Sequence, residues 1–158
     1  MNYYTRNKIK KSIFEQEEYF PVVVKFSDEE IDNCFVEYSY RDSDMMELVF
    51  DSESHELKQL TLTLCNHYLL SDTKMPMPNS NDGTICTMNG GSIECSYFET
   101  VVYKDGVEVK ISNTSATRYE KCGQIIFALS DSGDLLQIFI TDLNEDEIDH
   151  VRRELIQF

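Results

Sequence analysis

Hydrophobic and polar residues alternate along most of this chain from residue 20 onward, and a period of two residues is typical of β-strands. The clearest case is Leu57–Cys65, where Leu60, Leu62 and Leu64 are predicted to point to one face of the strand and the intervening threonines to the other. We expect the leucine face to be buried and the threonine face to be solvated. Three further strands are predicted at Tyr19–Phe26, Cys34–Tyr40 and Met45–Phe50.

Three hairpins are predicted in the second half of the chain, each with a glycine-containing turn between two alternating segments. Asp105-Gly106 is the strongest turn signal, because this dipeptide readily adopts the tight turns that match the twist of paired strands. Residues 71–83 are predicted to form a loop, since they contain two prolines, two asparagines and a glycine. The predicted hairpin arms are Thr84–Met88 with Ser92–Ser96, Phe98–Tyr103 with Val107–Ile111, and Gln124–Leu129 with Leu135–Ile140.

The register of the first of these hairpins depends on which two residues form its turn. A turn at Gly90-Gly91 places Cys86 opposite Cys95, whereas a turn at Asn89-Gly90 places Cys86 opposite Ile93. The sequence leaves both registers open.

The end of the chain is predicted to be a helix over residues 144–157. Asn144 is a good N-cap, and Glu147 three residues later completes a capping box. Apolar residues then recur at helical spacing, at Ile148, Val151, Leu155 and Phe158. The predicted fold class is therefore α+β, a mainly antiparallel β-sheet of hairpins with a C-terminal helix packed on it.

Length and composition predict a single globular domain over residues 1–158, since no repeat or linker divides the chain. Within residues 1–18 the pattern allows either an N-terminal helix or an irregular lead-in. The basic start runs into acidic residues instead of a signal-peptide core, and no apolar run approaches the about 20 residues of a membrane span. The five cysteines are odd in number and include no CxxC pair. We therefore expect reduced thiols and a cytoplasmic protein with no membrane association.

Acidic residues outnumber basic ones by 29 to 14, which gives a net charge of −15. The excess is uneven, because residues 1–11 hold four bases and no acid while residues 12–56 hold fourteen acids and two bases. A field of this sign repels nucleic acid and accelerates encounter with a basic partner. We expect a basic protein partner and no nucleic acid, although the same charges could serve only to keep the protein soluble.

Sequence motifs for catalysis or cofactor binding are not evident. The glycines lie in predicted turns and not before a helix, which excludes a nucleotide-binding P-loop. Cys65 and His67 have the spacing of two zinc ligands, but no second pair matches them. His55, His67 and His150 are candidate bases without a recognisable nucleophile motif. We therefore expect no cofactor, no metal and no enzymatic activity.

The segment Cys34–Leu70 contains a strand, a short acidic turn and then the sequence ELVFDSESHELKQLTLTL. This pattern resembles the immunity proteins of bacterial polymorphic toxin and contact-dependent growth inhibition systems, over about a quarter of the chain. The resemblance implies a stoichiometric binder without catalytic residues, whose partner is the toxic C-terminal domain of a large secreted protein, often a nuclease.

The charge and the resemblance together predict an acidic immunity protein that binds and neutralises a basic cognate toxin domain by occlusion. An acidic adaptor or regulatory domain is the alternative, followed by an enzyme with an unrecognised site. Recognition residues concentrate in loops, so we expect the partner to bind the acids of the connections between strands. These candidates are Asp28, Glu29, Glu30, Asp32, Asp42, Asp44, Asp51, Glu53 and Glu56.

Overall fold

The computed structural model describes residues 1–26 and 32–156. Within these residues the chain forms fifteen strands and one helix, and most of the paired strands are antiparallel. The predicted α+β class with a C-terminal helix is confirmed. The elements are β1 Tyr4–Arg6, β2 Ile13–Phe14, β3 Val22–Lys25, β4 Asn33–Tyr40, β5 Asp44–Asp51, β6 Leu57–Leu64, β7 Tyr68–Leu70, β8 Asn81–Asp82, β9 Thr84–Cys86, β10 Gly91–Glu94, β11 Glu99–Val102, β12 Val107–Lys110, β13 Arg118–Cys122, β14 Ile125–Leu129, β15 Leu135–Ile140 and α1 Glu145–Ile156.

Two large sheets contain most of these strands. The first sheet has the order β10-β4-β5-β6-β3-β2, and the second has the order β7-β11-β12-β15-β14-β13-β8, while β1 and β9 form a separate pair. Leu48 and Leu62 of the first sheet belong to the same buried cluster as Val109 and Phe127 of the second. The two sheets therefore share one hydrophobic core.

The consecutive strands β4, β5 and β6 form an antiparallel meander, and its first hairpin pairs Tyr40 with Asp44 and Asn33 with Asp51. The predicted hairpins β11–β12 and β14–β15 are confirmed. Turn-forming residues and strand periodicity were sufficient to identify these units because their pairing is local in sequence.

The helix α1 begins where its capping residues predicted. The Asn144 side chain accepts a hydrogen bond from the Glu147 amide at 2.9 Å, and the Glu147 carboxylate accepts one from the Asn144 amide at 3.0 Å. Ile148, Val151 and Leu155 enter the shared core. The predicted stripe is therefore the buried face of the helix, although Phe158 lies outside the described residues.

The predicted hairpin between Thr84–Met88 and Ser92–Ser96 is wrong. Strand β9 instead pairs with β1, and β10 pairs in parallel with β4 at the edge of the first sheet, so neither register of Cys86 occurs. Tight hairpin turns need residues with positive φ, and neither Gly90 nor Gly91 has it. Gly90 serves a different purpose, since a Cβ there would lie 2.7 Å from the carbonyl oxygen of Phe35.

Other elements differ in smaller ways from the sequence-based expectations. Residues 1–18 contain the short strands β1 and β2, which pair with β9 and β3, and no helix. Part of the predicted loop 71–83 forms β8, which pairs with β13. Thr61 is buried although its face was expected to be solvated, because it lies in the interior of the sheet between Glu47 and Val23.

Candidate functional site

The acidic candidates are distributed over two opposite ends of the first sheet. Ser52 donates its amide to the carbonyl oxygen of Asp32 at 3.0 Å, so Asp32 and the turn that follows β5 lie together. Asp42 lies in the turn between β4 and β5, and Asp44 begins β5, at the other end of the same hairpin. Asp28, Glu29 and Glu30 lie outside the described residues.

Asp44 is fully buried and anchors the connection between β6 and β7. Its Oδ1 atom accepts hydrogen bonds from the amides of Asn66 and His67 at 2.8 and 3.0 Å. Its Oδ2 atom accepts one from the Ser43 hydroxyl at 2.8 Å and lies 2.6 Å from Nδ1 of His67. The carboxylate is thus engaged inside the protein and is not exposed to a partner.

Glu56 is also buried, and it holds the basic N-terminal segment against the sheet. Arg6, Lys8 and Lys10 place their charged nitrogens 3.6, 3.1 and 3.4 Å from its carboxylate. Burial alone would raise the pKa of Glu56, but the hydrogen bonds and charges of Lys8 and Lys10 outweigh burial and lower it. Three of the four N-terminal bases are therefore paired with one internal acid.

The remaining described candidates are accessible to solvent. Asp32, Asp42 and Glu53 are exposed, and Asp51 is half-buried. Asp51 accepts hydrogen bonds from the amides of Ser54 and Glu53, which lower the pKa of its carboxyl group and order the turn. These four acids can contact a partner without rearrangement of the fold.

Two further acids, which the sequence analysis did not single out, lie opposite each other on the outer face of the first sheet. Glu37 of β4 pairs with Glu47 of β5, and both alternate with core residues. Among the described residues, none forms an ion pair with either carboxylate. Burial and the nearby charge of Glu37 raise the pKa of Glu47. A turn that places Tyr40 opposite Asp44 sets the register of the β4–β5 hairpin. Counting back from this turn along both strands places Glu37 opposite Glu47, so the turn was the sequence signal for this pair.

Strand alternation places three more residues on this surface, which we call the β4–β5 face and define as Phe35, Glu37, Glu47, Val49 and Asp51. Phe35 is 50% exposed and lies opposite Val49. The face thus combines an exposed aromatic ring with three carboxylates, an arrangement that suits a partner with basic and apolar side chains. Glu53, which is exposed in the turn after β5, adds a further acid beside the Asp51 end of the β4–β5 face.

A cleft of about 410 Å³ lies beside the buried Asp44, at the connection between β6 and β7. The His67 ring lies at its surface with Nδ1 turned towards Asp44, and its side chain is 54% exposed. A carboxylate-oriented histidine of this kind can accept a proton from a bound molecule. The nearby Cys65 thiol is not a matching nucleophile, because burial raises its pKa to about 12.

Comparison with known proteins does not assign this chain to a family. No protein-family model matches the sequence, and no curated protein is significantly similar to it. Among residues 1–26 and 32–156, no group of three or more histidine, cysteine and acidic side chains could hold a metal ion. The helix in this part of the chain is too short and too polar to cross a membrane.

Proposed function

We propose that this chain is an acidic immunity protein that binds a basic cognate toxin domain of the nuclease type and neutralises it by occlusion. The observation that carries the proposal is the pairing of Glu37 with Glu47 on an outer sheet face. Two like charges directly opposite each other destabilise a sheet. A lysine or arginine from a partner would relieve the repulsion, so the arrangement favours binding over the stability of the free protein.

The distribution of cations supports the same function. Three of the four N-terminal bases are held by Glu56, and Lys25 is held by Glu15 and Glu17 at 2.8 and 3.3 Å. These cations therefore do not neutralise the β4–β5 face, although the charge of Lys58 acts on Asp51 at its end. A nuclease presents lysine and arginine to the phosphate backbone, and the carboxylates of this face would compete for those cations.

Electrostatic attraction also suits the timing of inhibition. Complementary charge raises association rates well above those of neutral protein pairs, which matters when an inhibitor must bind before the toxin acts. Phe35 would supply apolar contact at the centre of the interface, surrounded by Glu37, Glu47 and Asp51. We place the binding event in the cytoplasm, where a nuclease finds its substrate.

The proposal is tested by co-expressing the chain with the protein domain encoded by the adjacent gene. We expect a stable complex, inhibition that is complete at one chain per toxin domain, and rescue of growth. Rescue that needs far less than one chain per toxin, with chemical change of the toxin, would indicate an enzyme instead. Absence of both binding and rescue would overturn the immunity function and leave an acidic adaptor as the alternative.

A further inference from the structure

The cleft beside His67 has a lining suited to a planar cation. The residues that line it include Tyr40, Tyr68, Tyr97 and Phe98 together with His67 and Glu99. Among residues 1–26 and 32–156, no lysine or arginine lines it. We infer that this cleft binds an arginine side chain of a protein partner.

Aromatic faces attract cations because the ring quadrupole is negative above its plane. The chain contains one such contact next to the cleft, since the Arg41 guanidinium lies 5.0 Å from the centre of the Tyr40 ring. The Tyr40 ring also meets the His67 ring edge-on at 5.6 Å. These two contacts hold the Tyr40 ring in position at one side of the cleft.

Glu99 supplies the negative charge at the cleft. Its carboxylate accepts a hydrogen bond from the Tyr97 hydroxyl at 2.9 Å, which positions it at the wall. Arginine fits this combination better than lysine does, because a guanidinium can stack on a ring and donate to a carboxylate at the same time. The net charge of −15 favours such a basic partner over a neutral one.

The inference rests on the proposed function only for the identity of the protein that supplies the arginine. The β4–β5 face and the cleft are separate surfaces, since Tyr40 ends β4 at the Asp42 turn while Asp51 lies at the opposite end of the hairpin. Because the two surfaces are separate, each can be tested without changing the other. A basic partner that reaches around this hairpin would contact both surfaces.

The first experiment uses small probes and needs no toxin. N-acetyl-arginine amide is titrated into the ¹⁵N-labelled protein and compared with N-acetyl-citrulline amide, its uncharged isostere. We expect saturable shifts of the Asn66, His67, Tyr68 and Leu69 amides with a millimolar dissociation constant for arginine, and about tenfold weaker binding of citrulline. Equal binding of the two probes, or no saturable shift with arginine, would overturn the inference.

Substitutions in the cleft identify the groups responsible. Glu99→Gln keeps the shape of the side chain and should weaken arginine binding about fivefold or more, because the counter-charge is lost. Tyr68→Leu should weaken it as well by removing a ring, whereas Leu70→Ala, outside the cleft, should have no effect. Unchanged binding by both cleft variants, with folding verified by the amide spectrum, would contradict the assignment.

The second experiment uses the toxin domain and separates the two proposals. If toxin binding is tight and Glu99→Gln leaves it unchanged, the cleft inference fails while the immunity function stands. If the arginine probe binds the cleft but the toxin does not bind the protein, the immunity function fails and the cleft remains a site for another arginine-bearing partner. We expect Glu99→Gln to weaken toxin binding about tenfold.

Discussion

Glu37 and Glu47 lie directly opposite each other on neighbouring antiparallel strands, and no described residue forms an ion pair with either of them. Each lies on the outer face of the first sheet, between residues whose side chains enter the core. In such a pair the two Cβ atoms are about 5 Å apart, so the charges repel. The free protein therefore keeps an unfavourable interaction on an accessible surface.

Replacing Glu47 with glutamine should stabilise the free protein by about 0.5 kcal/mol at neutral pH, because the repulsion is removed while the shape is kept. The pKa of Glu47 is raised in the folded state, so its carboxylate lowers stability at neutral pH and its protonation restores the loss as the pH falls. The difference in free energy of unfolding between Glu47→Gln and the wild-type protein should accordingly shrink as the pH is lowered from 7 to the ordinary pKa of glutamate. Urea unfolding of both proteins across this range measures it, and a destabilised variant would contradict the repulsion.

Glu56 should behave in the opposite way. Glu56→Gln leaves Arg6, Lys8 and Lys10 without their counter-charge and should destabilise the fold by about 1–2 kcal/mol, a value reduced by the exposure of Arg6 and Lys8. The pKa of Glu56 is lowered, so its contribution is present at neutral pH and is lost as the pH falls through the folded-state value. Glu53→Gln, in the same turn, is the exposed control, and equal stability of the two variants in urea would exclude this role.

The helix offers a matched pair of neighbouring positions. Leu155 is fully buried, whereas Ile156 is 72% exposed. Leu155→Asp should destabilise the fold by more than about 3 kcal/mol, since it places an unpaired charge in the core. Ile156→Asp should cost less than about 1 kcal/mol. Thermal unfolding distinguishes them, and similar melting temperatures would show that the helix is not docked.

Two adjacent glycines should also respond differently to alanine. A Cβ at Gly90 would collide with the backbone of β4, but a Cβ at Gly91 meets only the Met1 side chain, at 3.8 Å. Gly90→Ala is expected to destabilise the protein by about 1–3 kcal/mol, and Gly91→Ala to change stability by less than about 0.5 kcal/mol. Urea midpoints provide the measurement. Equal effects would argue against the parallel pairing of β10 with β4.

Local sequence signals explain which elements could be predicted. The α1 helix start needs only Asn144 and Glu147, and the β11–β12 hairpin needs only Asp105-Gly106 between alternating arms. The Asn89-Gly90-Gly91 segment carries a turn signal of the same kind between two alternating arms. Its glycines instead allow close approach to β4, a contact more than fifty residues away that no local pattern encodes.

The candidate site was predicted less well than the fold, for a related reason. Acid content identified a charged region, but it could not separate exposed acids from internal ones. Asp44 looks like a turn residue in the sequence, and only the distant His67 shows that it is an internal anchor. Glu37 and Glu47 lie ten residues apart in the sequence, and only the strand register places them opposite each other.

The most direct test of the proposed function is the association rate of the protein with the toxin domain as a function of salt concentration. The double variant Glu37→Gln/Glu47→Gln is compared with Glu18→Gln/Glu145→Gln, which removes the same charge from exposed positions outside the first sheet. We predict slower association at low salt and a flatter salt dependence for the first variant than for the second. Equal rates and equal salt dependence for both variants would contradict the claim that the Glu37–Glu47 pair receives a basic partner.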